Sequence, residues 1–260
     1  MLFLRSLVFN VAFYIVTAAM LIGTLPLFFI LPQSFGMGVV RNWAKACLWL
    51  HRNIAGTTFE VRGYDNLPPG GVLVASKHQS FFETFALIPL LKNPTIVMKR
   101  SIRWWPIFGQ YTIKTGMIHV DREGKTAALR ALSARAREEI DKGREIIIFP
   151  EGTRRAPDAP PDYQTGIALL YRTLGVPVVP VALNSGYYWP RRSFLRLPGR
   201  IVIEFLPAIP AGLDSRHFLS RLEDAIEPAS RRLGEEAKSA LPAAAHQSVE
   251  EKTAGTPRVR

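Results

Sequence analysis

Two observations on the sequence predict an α/β fold built on a mixed, largely parallel sheet flanked by helices. A third adds an N-terminal hydrophobic helical motif that binds membrane. First, short β-prone runs recur at residues 58–62, 72–76, 95–99, 117–121, 145–149, 178–182 and 201–205. Second, helical patterns lie between several of them, and strands that alternate with helices imply mainly parallel pairing. Third, no charged residue occurs between Arg5 and Arg41. A chain of 260 residues is long enough for one sizeable domain plus an appendage. We expect membrane-binding helices over 1–55, the α/β domain over 56–236 and a disordered tail over 237–260, where Ala, Ser, Glu, Thr and Pro follow without periodicity.

The N-terminal stretch is almost wholly apolar over 7–22, is interrupted by Gly23 and Pro26, and resumes over 27–31. A signal peptide would need a small-x-small cleavage site, which is hard to place. A spanning helix needs about 20 apolar residues, a length reached here only across Pro26. A kinked span and a helix embedded in one leaflet are both open at this point. Over 38–55, Arg41, Lys45 and Arg52 fall within about 40° of each other on a helix, at about 100° per residue. Val39, Trp43, Cys47, Leu50 and Ile54 gather opposite, with Leu48 the exception. That pattern, with Trp43 and Trp49, suits a helix lying in the headgroup region. The competing reading is an ordinary amphipathic helix packed on the protein core, and the lipid-bound neighbour favours the headgroup.

Further along, helices are expected over 81–91, 125–142, 165–174 and 215–236. In the second of these Leu129, Leu132, Ala136 and Ile140 share one face and Gly143 follows as a C-terminal cap. The formal charge is +12 and the isoelectric point about 10.2, yet 48% of residues are hydrophobic. Basic and greasy together favour an anionic membrane surface or phosphorylated substrates. No zinc-finger, basic-zipper or RNA-recognition pattern is present, so nucleic acid is not an expected partner. Cys47 is the only cysteine, which rules out an intramolecular disulfide and agrees with a reducing, cytosol-facing location.

The chemistry gathers at strand ends. His78 follows the apolar run 72–75, and Glu83 lies five residues on. On one continuous helix the two would be about 140° apart and could not meet. They meet if His78 sits in the preceding loop and Glu83 in the first turn. Ser80-x-x-Glu83 also fits a capping box, in which Ser80 takes the N–H three residues on and Glu83 reaches back to the N–H of Ser80. Spacing alone divides Glu83 evenly between capping and orienting His78, and one carboxylate has oxygens for both. Arg122 follows the run 117–121, and by itself reads as a surface arginine paired with Asp121. The run 146–149 leads into Pro150-Glu151-Gly152-Thr153-Arg154-Arg155, where a proline stop, a glycine turn and two guanidinium groups suit an oxyanion. A solvated polar turn is the plain alternative. The run 178–182 leads to Asn184-Ser185-Gly186, for which a buried strand and turn is a sufficient account.

Together these pieces resemble the four sequence blocks of the glycerolipid acyltransferases, the 1-acyl-sn-glycerol-3-phosphate acyltransferase family. His78-Gln79-Ser80-Phe81-Phe82-Glu83 matches the first block in spacing, and Gly116 to Arg122 is similar to the second. Phe149-Pro150-Glu151-Gly152-Thr153-Arg154 closely resembles the third, and Val178-Val179-Pro180-Val181 the fourth. The blocks follow the family's order and span about half the chain; the first and third together are the specific signal. One departure stands out: the family usually has Asp where this chain has Glu83.

The resemblance implies transfer of a fatty acyl group from acyl-CoA or acyl carrier protein to the hydroxyl of a lysophospholipid, with no cofactor; a metal is not expected, because His78, His119 and Glu151 lack ligand spacing. The resemblance also implies His78 as general base with Glu83 orienting it. Arg122 and Arg154 would hold the acceptor phosphate, Glu151 its glycerol, and the Gly152 and Thr153 amides would help bind the phosphate. Lys99 and Arg100 are lesser phosphate candidates, and 178–181 packs near the acyl channel. The expected location is a membrane, with the catalytic domain facing the cytosol (the inner membrane in a bacterium). The acceptor could instead be lyso-ornithine lipid or glycerol-3-phosphate. A non-catalytic protein that binds anionic lipid would need neither the His78/Glu83 pair nor residues 151–154. A hydrolase would need a G-x-S-x-G elbow, which is missing from the sequence.

Overall fold

The computed structural model describes residues 1–121 and 125–241, with Lys125 and Thr126 described by backbone alone. Its elements run α1 (Leu2–Gly23), α2 (Leu25–Ile30), α3 (Gln33–Leu50), β1 (Thr57–Arg62), β2 (Val72–Ser76), α4 (Phe82–Ala86) and β3 (Pro94–Lys99). There follow α5 (Phe108–Lys114), β4 (Ile118–Val120), α6 (Lys125–Asp141), β5 (Glu145–Ile148), α7 (Thr165–Leu174), β6 (Val178–Leu183), α8 (Ser185–Tyr188), β7 (Gly199–Phe205) and α9 (Ser215–Ala240). The expected strands are all present, within two residues at each end. They form a sheet in the order β1-β7-β6-β2-β5-β3-β4. Every neighbouring pair is parallel except β6 and β7.

Both faces of the sheet are covered, as a parallel sheet requires. Along β2, Val72 and Val74 face the layer that holds Phe9, Phe13, Ala44, Cys47 and Phe85. Leu73 and Ala75 face the opposite layer, with Leu132, Ala136, Leu170 and Phe218 from α6, α7 and α9. This alternation explains why the strand reads as an unbroken apolar run.

The N-terminal helices differ in part from expectation. Helix α1 is long and apolar enough to cross a membrane, with mean hydropathy 2.0 and 17% of its most apolar window buried. Phe9 and Phe13 turn inward onto Trp189, while Phe3, Leu4, Leu7, Val8, Val11 and Ile15 stay exposed. The headgroup reading of α3 is corrected: Ala44, Cys47, Leu48 and Leu50 share a buried cluster with Val72 and Val74, so its apolar face packs on protein. Leu48, the sequence misfit, is among them. Arg41 turns away from lipid chemistry to donate to the carbonyls of Leu91 and Lys92.

Helix 81–91 is shorter than its pattern. Pro89 has no N–H to give, and α4 yields after Ala86 to a 3₁₀ turn at Ile88–Leu90. Helices α5 and α8 were not expected. Helix α9 continues to Ala240, beyond the boundary placed at 236, and the remainder of the expected tail, 242–260, lies outside the described residues.

His51 gives this packing a pH dependence. It is buried between Phe9 and Trp189, and burial, aided by the charge of Arg196, pushes its pKa down to about 3. Below about 6.5 the unfolded chain takes up a proton that the folded chain refuses until about pH 3. Stability should therefore fall as the pH drops through that window, by about 2 kcal/mol from this residue at pH 5. Thermal melts in detergent at pH 7.5 and 5 should show a smaller loss for His51→Phe than for the unaltered chain; equal losses would contradict the assignment.

Candidate active site

Sheet order brings the sequence-distant pieces together. β2 lies between β5 and β6, all three running the same way. The segments leaving their carboxyl ends therefore meet: His78 after β2, Glu151 after β5 and Ser185 after β6. Ligands of open parallel sheets bind at this edge.

Glu83 is fully buried at the start of α4. Its Oε1 lies 2.9 Å from His78 Nδ1 and accepts the backbone N–H groups of Gln79 and Ser80, both at 2.7 Å. Its Oε2 accepts from Ser185 Oγ at 2.7 Å. Glu83 thus makes both contacts left open by its spacing. The other half of the capping box differs: Ser80 Oγ takes the N–H of Phe82, two residues on, at 3.1 Å. The extra methylene of glutamate is accommodated because the carboxylate folds back over its own helix start.

The His78 ring is held from a second side by Phe149, stacked at 3.9 Å with 18° between planes. The N–H of Arg155 donates to the carbonyl of His78 at 2.8 Å, tying loop 150–155 to the loop that carries the imidazole. Gly152 makes this loop possible, with φ 66 in the left-handed region. With Nδ1 facing Glu83, Nε2 is the nitrogen left for a reacting group.

Loop 150–155 is anchored by charge. Lys77 is 1% exposed, and its Nζ donates to Glu151 Oε1 at 3.0 Å and to Glu227 Oε1 of α9 at 2.7 Å. Tyr163 also donates to Glu227 Oε1, at 2.7 Å. Burial raises the pKa of Glu151, opposed by the charge of Lys77. Its Oε2 is buried without a hydrogen-bond partner. Sequence reasoning missed Lys77, Tyr163 and Glu227; a lysine directly before the histidine was the one available signal.

Arg154 is half-buried, and its carbonyl accepts from Arg191 at 2.8 Å. Burial, then the charges of Arg192, Arg154 and Arg155, lower the pKa of Arg191. Such crowding of guanidinium groups favours an incoming dianion. Arg191 and Arg192 also escaped the sequence reading. Arg100 pairs with Asp121 at 3.4 Å at the ends of β3 and β4, and Arg122 lies outside the described residues. Strand β6, including 178–181, is wholly buried in the sheet. A cavity of about 450 Å³ lies against this edge, lined by Phe149, Glu151, Gly152 and Thr153 on one side and Leu129, Leu132 and Ile167 on the other. Among the described residues no cluster of His, Cys, Asp and Glu is suited to hold a metal.

The chain that carries this histidine, carboxylate and guanidinium cluster is similar to several known proteins. A family model described as Acyltransferase matches residues 58–184. A 1-acyl-sn-glycerol-3-phosphate acyltransferase of Pseudomonas aeruginosa is 35% identical over 223 residues, covering 84% of this chain and 87% of that one. The 1-acyl-sn-glycerol-3-phosphate acyltransferase alpha of Mus musculus is 27% identical over 62% of this chain and 59% of its own. The crystal structure of the 1-acyl-sn-glycerophosphate acyltransferase PlsC from Thermotoga maritima superposes with a TM-score of 0.70. It covers 90% of this chain and 98% of that one at 18% identity, which speaks to the fold alone. The extent of the Pseudomonas match settles membership: the chain belongs to the 1-acyl-sn-glycerol-3-phosphate acyltransferase family and is an O-acyltransferase.

Proposed function

We propose that the protein transfers a fatty acyl group from an acyl thioester to the free hydroxyl of a lysophospholipid, with 1-acyl-glycerol-3-phosphate as acceptor. The names of the relatives support the acceptor. The observation that carries the mechanism is the contact of His78 Nδ1 with the buried Glu83 carboxylate, 2.9 Å apart. A hydroxyl cannot attack at neutral pH unless a base takes its proton in the transition state. His78 Nε2 takes that proton as the hydroxyl oxygen bonds to the thioester carbon. The carbon–sulfur bond then breaks, and the departing thiolate receives the proton from the imidazolium. Glu83 fixes the tautomer and stabilises the imidazolium. The acceptor plays the part of the serine in a triad, so no acyl-enzyme is needed.

Arg154, with Arg191 beside it, holds the acceptor phosphate; Arg122, outside the described residues, is assigned to the same phosphate from its sequence block alone. The unpartnered Oε2 of Glu151 takes a glycerol hydroxyl and the Thr153 amide assists at the phosphate; the Gly152 N–H is withdrawn from that role, because it donates to the carbonyl of Phe149 at 2.9 Å. The donor is acyl-CoA or acyl carrier protein, and the reaction needs no cofactor. The exposed apolar face of α1 supports attachment to a membrane, and the single cysteine, Cys47, agrees with a catalytic domain on the cytosolic side.

The test is purified protein, a thioester donor and a panel of acceptors that includes lyso-ornithine lipid and glycerol-3-phosphate, with mass analysis of the products. Transfer to none of them would refute the proposal. His78→Ala should lower kcat about 10³-fold while the chain stays folded. Glu83→Gln keeps an oxygen for the two amides but loses the charge opposite the imidazolium. Its kcat should fall on the order of 10²-fold or more with little change in Tm, and near-normal turnover would reduce Glu83 to a cap. Arg154→Ala should raise KM for a phosphorylated acceptor about tenfold or more and leave the donor KM unchanged, whereas equal effects would argue against phosphate contact.

A further inference from the structure

At the same edge of the sheet as the site, the turn that joins β3 to α5 presents two tryptophans to solvent. Arg100–Trp104 forms a 3₁₀ turn, and Trp104 and Trp105 are 74% and 59% exposed. The turn is not loose chain. The N–H of Trp105 donates to Ile102 at 3.1 Å, and that of Gly109 to Trp105 at 2.9 Å. A Cβ on Gly109 would stand 2.1 Å from the carbonyl oxygen of Arg103, so a glycine is needed for the chain to double back here. The backbone thus holds both indoles outward. Around them Lys99, Arg100 and Arg103 are exposed, the last with its guanidinium 5.8 Å from the Trp104 ring centroid.

Helix α5 connects this turn to the N-terminal helices. Tyr111 stacks on Phe28 at 3.8 Å and donates to the carbonyl of Leu21 at 3.0 Å, and Lys114 lies 4.7 Å from the Phe28 ring centroid. Phe28 of α2 and Tyr111 of α5 thus share one packed cluster with Ile107 of the turn, and exposed apolar side chains flank it: Leu27, Phe29 and Ile30 on α2 and Ile113 on α5. Indoles with cations beside them, on a turn joined by packing to helices that expose apolar side chains, match the interface of an anionic bilayer.

We propose that the Trp104–Trp105 turn is a second lipid contact, separate from α1 and α2, whose indoles sit among anionic headgroups while Lys99, Arg100 and Arg103 face the phosphates. This rests on the reading that α1 and α2 hold the chain at a membrane. A single helical anchor leaves the domain free to tilt, and a second contact removes that freedom. Because the turn leaves the carboxyl end of β3, it holds the His78 edge of the sheet toward the lipid that carries the acceptor.

The test uses the full chain in phosphatidylglycerol/phosphatidylcholine vesicles containing phospholipid brominated near the top of its acyl chains, and reads quenching of tryptophan fluorescence. Helix α1 would keep the chain on vesicles regardless, so sedimentation alone is insensitive and quenching is the deciding measurement. Trp104→Phe/Trp105→Phe should still sediment with vesicles and melt at the same temperature, yet lose roughly half or more of the quenched signal. Omitting phosphatidylglycerol should weaken the quenching of the unaltered chain severalfold. Sedimentation with an unchanged quenched signal in the double variant would overturn the second contact while leaving the α1 reading intact. Failure of the unaltered chain to sediment with any vesicle would overturn both.

Discussion

The site depends on one buried carboxylate. Glu83 gathers an imidazole, two backbone amides and a serine hydroxyl, and its two oxygens serve all four. An ionised carboxylate deprived of water needs such company, since an unpaired buried charge is strongly destabilising. The amides and hydroxyl that satisfy Glu83 also fix where it stands, and so where His78 stands. The helix start and the His78/Glu83 pair are one assembly, and loosening either disturbs the other.

A second buried cluster supports the first. Lys77 is adjacent to His78 in sequence, yet its ammonium points to Glu151 and Glu227, joining the loops after β2 and β5 to α9. Breaking a buried pair by removing one partner typically costs about 3–5 kcal/mol, because the survivor is left charged and unpaired. The loop that carries Arg154 is therefore held by charge from below and by the Arg155–His78 backbone bond from the side.

The strands and the His78/Glu83 pair were legible because their signals are local: apolar runs of strand length, and a spacing that a loop followed by a helix can close. Ser185 and Glu227 were not, since each reaches the site through sheet order or helix packing, which no short stretch encodes. Their approach to residues 102 and 150 positions away is a property of topology. Helix α3 misled for a related reason. An amphipathic pattern states that one face is apolar without stating what covers it, and here the cover is the sheet. Helix 81–91 was overextended because Pro89 was read within the pattern and not as its end.

Phe9 and Phe13 give the N-terminal helix a consequence beyond its apolar exterior. Both are buried against Trp189 in the layer that also contains Val72 and Val74. Cutting away α1 to obtain a soluble enzyme would uncover Trp189 and the strands beneath it, so the truncated chain would lose part of its own interior along with its greasy surface. The apolar outer side of α1 and the packed inner side are inherited together here, and a less greasy form would have to be reached by repainting the outer side while leaving the inner side untouched.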